Sequence, residues 1–145
     1  MEISLKNKQL LFVIALISLL GIVCFFERDE LVFHFSLNKA YYYSEHEQYE
    51  NAIREYDSLI EMKPDVYELY VNKAILLATH GEYDEALTVF GQAESLNNAD
   101  PELYYNLAHL YELMGNEEMY QQFVDKGAQL EAGNQFESSD FEEGD

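Results

Sequence analysis

A helical-hairpin pattern recurs three times along this chain at a fixed spacing of about 34 residues. The clearest copy starts at Gly81-Glu82-Tyr83 and continues with Ala86 and Phe90. The matching positions of the other two copies are Tyr49, Ala52, Tyr56, Leu59 and Met62 before it, and Gly115, Val124, Gly127 and Leu130 after it. A fixed period of this length is typical of stacked helical solenoids, whose extended surfaces bind other molecules. The period therefore predicts an all-α fold and a binding role.

The pattern resembles the tetratricopeptide repeat family, with repeats at 33–66, 67–100 and 101–134. The resemblance implies a solenoid of three helical hairpins. Each first helix carries an alanine where the family has a small residue, and the second helices of repeats one and two supply small partners; these residues are Ala40, Ala74, Ala108, Ala52 and Ala86. Small side chains on both sides let two helices pack at about 8–10 Å. We therefore expect the helices of each hairpin to cross at these alanines.

Two departures from the family pattern are visible. Lys39 and Lys73 stand where the family has leucine, and Tyr120 replaces the small second-helix residue of repeat three. A lysine stem can cover apolar surface while its ammonium group reaches water. We expect the third hairpin to be less regular, as terminal repeats often are.

An uncharged apolar run, 10–26, precedes the repeats and follows a short basic flank at 1–9. As a helix it would extend about 25 Å, at the short end of what crosses a bilayer. The run predicts a single transmembrane helix in contact with the lipid bilayer. A cleaved signal peptide needs small residues at its cleavage site, and a lipoprotein site at Cys24 would need a small residue in place of Val23. Both remain alternatives to the anchor.

The charges that flank this run predict its orientation. Lys6 and Lys8 precede it, whereas Arg28 is the one basic residue in the acidic segment that follows. Basic residues favour the cytoplasmic side. We expect a cytoplasmic N-terminus with the repeats on the periplasmic or extracellular side; repeats facing the cytosol are the alternative. Residues 27–32 form a junction without Gly or Pro, so the anchor is expected to run almost directly into the first repeat.

The formal net charge of −20, from 28 acidic and 8 basic residues, excludes a nucleic-acid role because phosphate binding needs Lys and Arg. Residues 135–145 are acidic and have the composition of a disordered tail. The single cysteine, Cys24, excludes a disulfide framework within one chain. Modification of Cys24 and binding by the tail, through Phe136 and Phe141, are left open.

The sequence contains no pattern that indicates catalysis. The four histidines, His34, His46, His80 and His109, lack metal-ligand spacing, and neither a phosphate-binding loop nor a nucleophile elbow is present. We therefore expect no enzymatic activity, no metal, no cofactor and no small-molecule substrate.

The resemblance places the binding groove on the first helices of the hairpins. The candidate groove residues are Asn38, Tyr41, Val71, Asn72, Ile75, Tyr105, Asn106 and His109. Asn38, Asn72 and Asn106 share one register, and their amides can both donate to and accept from a peptide backbone. Family members that hold a terminal carboxylate use Lys and Arg in the groove. The corresponding residues here are Leu37, Tyr41, Asn72, Glu102 and Asn106, and only Asn72 matches, so that ligand class is not expected.

The sequence thus predicts a single-pass membrane protein whose solenoid docks a protein partner, itself associated with the membrane or cell envelope. Two alternatives remain. The chain could be a permanent structural subunit of a larger membrane complex, or a transient assembly factor for envelope machinery.

Overall fold

The computed structural model describes the chain at residues 16, 18 and 28–139, and the ordered elements in these residues are all helices. Residues 28–45 form α1. The helices that follow are α2 (Tyr49–Met62), α3 (Tyr67–His80), α4 (Tyr83–Leu96), α5 (Pro101–Leu113) and α6 (Glu117–Ser139). They pair as α1–α2, α3–α4 and α5–α6, as expected for three hairpins.

The turn inside each hairpin has the same backbone geometry. Gly81 and Gly115 adopt left-handed conformations with φ of 91° and 71°, and Glu47 holds the equivalent position of the first hairpin with φ of 56°. At each turn the next residue donates its backbone N–H to a carbonyl earlier in the chain; the donor–acceptor pairs are Gln48–Tyr43, Glu82–Leu77 and Asn116–Tyr111, each at 2.9 Å. These bonds satisfy carbonyls that a helix end would otherwise leave unpaired. The repeat register of the sequence thus reappears in the turns.

The expected alanine crossings are confirmed by burial. Ala40, Ala52, Ala74 and Ala86 have no exposed surface, and Ala108 is 2% exposed. In the third hairpin Gly127 takes over the role of small partner, because an added Cβ there would lie 2.9 Å from the ring of Tyr105. Small residues therefore set the helix–helix distance in all three hairpins.

The apolar core has two parts. The larger part joins α3, α4 and α5 around Leu77, Phe90 and Tyr104, with Phe123 and Leu130 of α6 packed against it. The smaller part lies between α1, α2 and α3 and contains Phe33, Ala40, Tyr56, Leu59 and Leu69. Leu69 of α3 belongs to the smaller part, whereas Ala74 and Leu77 of the same helix belong to the larger, so α3 connects the two.

The two lysines that depart from the family pattern form ion pairs with second helices. Lys39 of α1 contacts Glu55 of α2. The Lys73 ammonium lies 2.7 Å from Asp57 of α2 and 3.8 Å from Glu85 of α4, with only 13% of its side chain exposed. The charged groups of both lysines therefore reach carboxylates rather than water alone.

Helical structure extends beyond the predicted repeats at both ends. Residues 28–32 of the predicted junction are already helical. At the other end α6 continues to Ser139, so residues 135–139, assigned to a disordered tail, are helical. Neither Gly133 nor the acidic composition ends the helix, since an internal glycine costs only about 1 kcal/mol and no proline follows. Residues 140–145 lie outside the described residues.

The predicted membrane span at 10–26 also lies outside the described residues, apart from Leu16 and Ser18, which are helical. Within the part that is described, none of the helices combines the length and apolar character needed to cross a bilayer.

Candidate functional site

A concavity of about 420 Å³ opens along the first helices of the three hairpins. We call it the groove. Its walls come from α1, α3 and α5 and from the loop before α5; the lining residues are Tyr41, Tyr67, Glu68, Val71, Asn72, Ile75, Asp100, Glu102 and Asn106. Because consecutive hairpins stack, one face of each first helix contributes to a single continuous surface.

Five of the eight predicted site residues meet in this groove: Tyr41, Val71, Asn72, Ile75 and Asn106. The Asn72 side-chain amide donates a hydrogen bond to the Tyr41 hydroxyl at 3.3 Å, which links repeats one and two. Ile75 is 37% exposed, so an apolar surface is open to a ligand. The groove therefore combines amides, a tyrosine hydroxyl and an apolar floor.

The other three predicted residues lie elsewhere. Asn38 is exposed on α1 and does not line the groove. Tyr105 packs on Gly127 of α6, and its hydroxyl donates a hydrogen bond to Glu131 at 2.9 Å. His109, also exposed, pairs with Glu112 at 3.1 Å. The asparagine ladder thus contributes two of its three members to the groove.

Sequence reasoning missed four lining residues: Tyr67, Glu68, Asp100 and Glu102. From the sequence, Glu102 was considered only as a residue that differs from the Lys and Arg that family members use to hold a terminal carboxylate. A signal was present, because Glu68 and Glu102 are one repeat period apart and follow directly the first residues of α3 and α5. Their common register would place them together at one end of the groove.

Asp100 has two roles at that end of the groove. One of its carboxylate oxygens caps α5 by accepting a hydrogen bond from the Glu102 backbone N–H at 3.0 Å. The other accepts a hydrogen bond from the Tyr67 hydroxyl at 3.1 Å. Burial and this bond to a carboxylate hold the pKa of Tyr67 well above its usual range, so the tyrosine stays a neutral donor.

The basic side chains of the described residues lie outside the groove. Lys63 pairs with Glu30 at 2.7 Å, and Lys126 pairs with Glu94 at 3.1 Å. Lys39 and Lys73 pair with second helices, as described above. The groove, in the described chain, is therefore lined by carboxylates without a basic partner among its walls.

A slightly larger concavity, about 470 Å³, lies on α6 and is lined by Gln122, Phe123, Asp125, Lys126 and Gln129. One helix supplies all of these residues, whereas three helices build the groove. We therefore take the groove as the candidate site. For residues 16, 18 and 28–139, there is no group of three or more His, Cys, Asp or Glu side chains placed to hold a metal ion.

Comparison with known families identifies the repeats. A family model described as a tetratricopeptide repeat matches residues 34–66 and 101–134, and a second, described as a TPR repeat, matches 76–115. The matches leave only residues 67–75 uncovered between 34 and 134. The chain belongs to the tetratricopeptide repeat family and carries a protein-interaction domain of that type.

Solved structures with the same fold include MamA (MSR-1), at 20% identity and a TM-score of 0.63, covering 70% of this chain and 59% of that one. YrrB, described as a TPR protein with an unusual peptide-binding site, is similar at 22% identity and a TM-score of 0.58, covering 63% of this chain and 47% of that one. A chain of the CopN–Scc3 complex aligns at 18% identity with a TM-score of 0.61, covering 68% of this chain and 58% of that one.

At these identities the likeness concerns the fold alone. This chain spans about half to three fifths of the length of the three structures. No curated protein sequence matches it.

Proposed function

We propose that this chain is a single-pass membrane protein whose tetratricopeptide repeat domain docks a protein partner in the groove. The apolar run at 10–26 supports the anchor. Lys6 and Lys8 support a cytoplasmic N-terminus, with the repeats and the partner on the extracytoplasmic side. The role needs no catalytic group and no cofactor: the chain would concentrate its partner at the membrane.

The observation that carries the docking role is the composition of the groove. Tyr41, Asn72 and Asn106 come from three successive first helices and offer polar groups along one concave surface. Exposed Ile75 adds an apolar contact beside them. A partner segment laid in this surface can satisfy its backbone groups on the amides while it buries an apolar side chain.

Site-specific photo-crosslinking in cells tests the docking role. A crosslinking amino acid at Ile75 lies in the groove, and one at Thr88, exposed on α4, serves as the matched control. We expect a discrete partner band from Ile75 that is absent from Thr88 and is lost in the Asn72→Ala/Asn106→Ala double variant. Equal crosslinking from both positions, or a band that the double variant retains, would place the docking surface elsewhere.

Cysteine labelling tests the anchor and its orientation. In a Cys24→Ser background, single cysteines are introduced as Asn7→Cys and Glu118→Cys, and intact cells are treated with a membrane-impermeant maleimide. We expect labelling of the Glu118→Cys variant in intact cells and of the Asn7→Cys variant only after permeabilisation. The reverse pattern would refute the orientation, and release of the chain by alkaline carbonate would refute the anchor.

A permanent structural subunit is the second candidate, because α1 has an exposed apolar side next to the predicted span. Leu31 and Phe35 are 73% and 69% exposed, and Val32 is 46% exposed. Such a surface is typical of an interface. Mild detergent extraction followed by native sizing separates the two: a fixed large complex favours the subunit, and a mostly free protomer favours the docking protein.

A further inference from the structure

One end of the groove has a concentration of negative charge. Glu68 and Glu102 are the second residues of α3 and α5, and Asp100 lies beside them as the cap of α5. The Asp100 carboxylate is engaged by Tyr67 and by the α5 backbone. The Glu68 and Glu102 carboxylates are exposed and form no ion pair or side-chain hydrogen bond within the described chain. Two carboxylates are therefore available to a ligand.

The lysines elsewhere in the domain do not neutralise this negative charge. Each lysine of the described residues already faces a carboxylate outside the groove, as the Lys39–Glu55 and Lys126–Glu94 pairs illustrate. The chain as a whole has a formal charge of −20. An acidic segment that enters the groove would meet uncompensated like charge, whereas a basic one is attracted at long range and also pairs locally.

The rest of the groove indicates the form of the ligand. Asn72 and Asn106 offer amides suited to an extended backbone, and Val71 and Ile75 form the apolar floor. Glu68 and Ile75 are seven positions apart on one helix, a distance of about 10 Å at the helical rise. An extended segment in the polyproline II conformation rises about 3.1 Å per residue with three residues per turn, so side chains three positions apart share one face and lie about 9 Å apart.

We propose that the groove binds an extended basic segment of a partner protein, with a Lys or Arg side chain between Glu68 and Glu102 and an apolar side chain three residues away on Val71 and Ile75. The inference rests on the proposed function and names the ligand class of the same groove. The charges are the opposite of those in family members that hold a terminal carboxylate with Lys and Arg, because here the groove is acidic and the ligand is basic.

Acidic residues in a first turn also stabilise a helix through its dipole. Glu50 of α2 and Asp84 of α4 have such positions outside the groove. The dipole therefore accounts for acidic residues at helix starts in general, and a test has to separate this effect from ligand binding.

Fluorescence anisotropy of the full-length chain in a neutral detergent provides that test. The probes are two pools of labelled decapeptides that share one fixed leucine and differ in one residue three positions before it, arginine in the first pool and glutamate in the second. We expect the arginine pool to bind at least about tenfold more tightly at low ionic strength. Added salt should reduce the difference because the carboxylates are exposed to solvent.

Three double variants locate the effect. Glu68→Gln/Glu102→Gln should abolish the preference for arginine, and Glu68→Lys/Glu102→Lys should reverse it. The matched control, Glu61→Gln/Glu118→Gln, changes the net charge as much as Glu68→Gln/Glu102→Gln does, but at exposed residues outside the groove. It should retain the preference for arginine. Circular dichroism of each variant confirms that it is folded.

The outcomes distinguish this inference from the proposed function. If the Asn72→Ala/Asn106→Ala variant weakens binding but the arginine and glutamate pools bind equally, the basic ligand is wrong and the groove stands. If binding is insensitive to that variant, the groove is not the docking surface and both proposals fail. Absence of measurable binding by the arginine pool, or loss of the preference in the control variant, would also overturn the inference.

Discussion

Glu47 differs from the glycines at the equivalent positions of the other two hairpins, but its backbone has the same left-handed conformation. It has the left-handed turn position that Gly81 and Gly115 hold in the other hairpins, with φ of 56°. A residue with a Cβ pays about 1–2 kcal/mol for this conformation, whereas glycine adopts it freely. Packing of α1 on α2 and the Gln48–Tyr43 backbone bond at 2.9 Å keep the turn in place.

Glu47→Gly should therefore stabilise the protein. We expect the free energy of unfolding to rise by roughly 1 kcal/mol, since the strain is relieved with little loss of contacts. The control Glu45→Gly removes the same charge from the last turn of α1 and should lower stability, by at most about 1 kcal/mol. Denaturant unfolding followed by circular dichroism measures both; a destabilised Glu47→Gly variant would contradict the strain.

Tyr56 is a buried tyrosine whose ionisation should affect stability at high pH. Burial, with a smaller contribution from Tyr41, raises its pKa to about 12, and a hydrogen bond with Ser44 opposes this shift. The unfolded chain loses the proton near pH 10 and the folded chain near pH 12, so its contribution is complete below pH 10 and is lost between the two.

Tyr56→Phe should therefore reduce the fall in unfolding free energy above pH 10, by at most about 1.4 kcal/mol per pH unit. Some fall should remain, because burial also raises the pKa of Tyr67 and Tyr104. Tyr42→Phe, at a tyrosine that is 52% exposed, is the control and should follow the wild-type curve. Stability measured from pH 8 to pH 12 is the readout, and parallel curves for Tyr56→Phe and wild type would count against the assignment.

At the scale of the elements, α6 differs from the other second helices in its length. It runs for 23 residues, well beyond its partner α5, which has 13. Its contact with α5 depends on Gly127, which lies under the ring of Tyr105. Gly133, later in the same helix, has open space around its Cα.

Substitution of these two glycines separates helix propensity from packing. Gly133→Ala should stabilise α6 by up to about 1 kcal/mol, because alanine is the better helix former. Gly127→Ala should not give this gain, or should destabilise the protein. Its Cβ would lie 2.9 Å from the Tyr105 ring, so the ring would have to move. Thermal unfolding of the two variants side by side measures the difference; equal stabilisation would show that the Tyr105 ring moves freely.

At the scale of the whole molecule, the three hairpins form a domain that should fold without the apolar run. A chain that begins at residue 27 keeps all six helices of the described structure and nearly all of the acidic charge. We expect it to stay in solution without detergent and to give a mainly helical circular dichroism spectrum. Its melting should be at modest temperature, because a domain of this size buries a small core. A strand-dominated or unfolded spectrum would refute the prediction.

The sequence alone determined the three hairpins, because each depends on a local pattern that recurs at one fixed period. Ala40, Ala74 and Ala86 could be recognised as crossing points, because the distance between two packed helices depends on the size of the side chains where they cross. The composition of the groove depended on how the hairpins stack. Stacking of α5 beside α3 brought Asp100, the cap of α5, to Tyr67, the first residue of α3. Packing within the third hairpin put the ring of Tyr105 against Gly127 of α6, although the register of Tyr105 predicted a groove residue. The period along a chain decides which residues share a register, whereas the angle between neighbouring helices decides which of them face the same ligand.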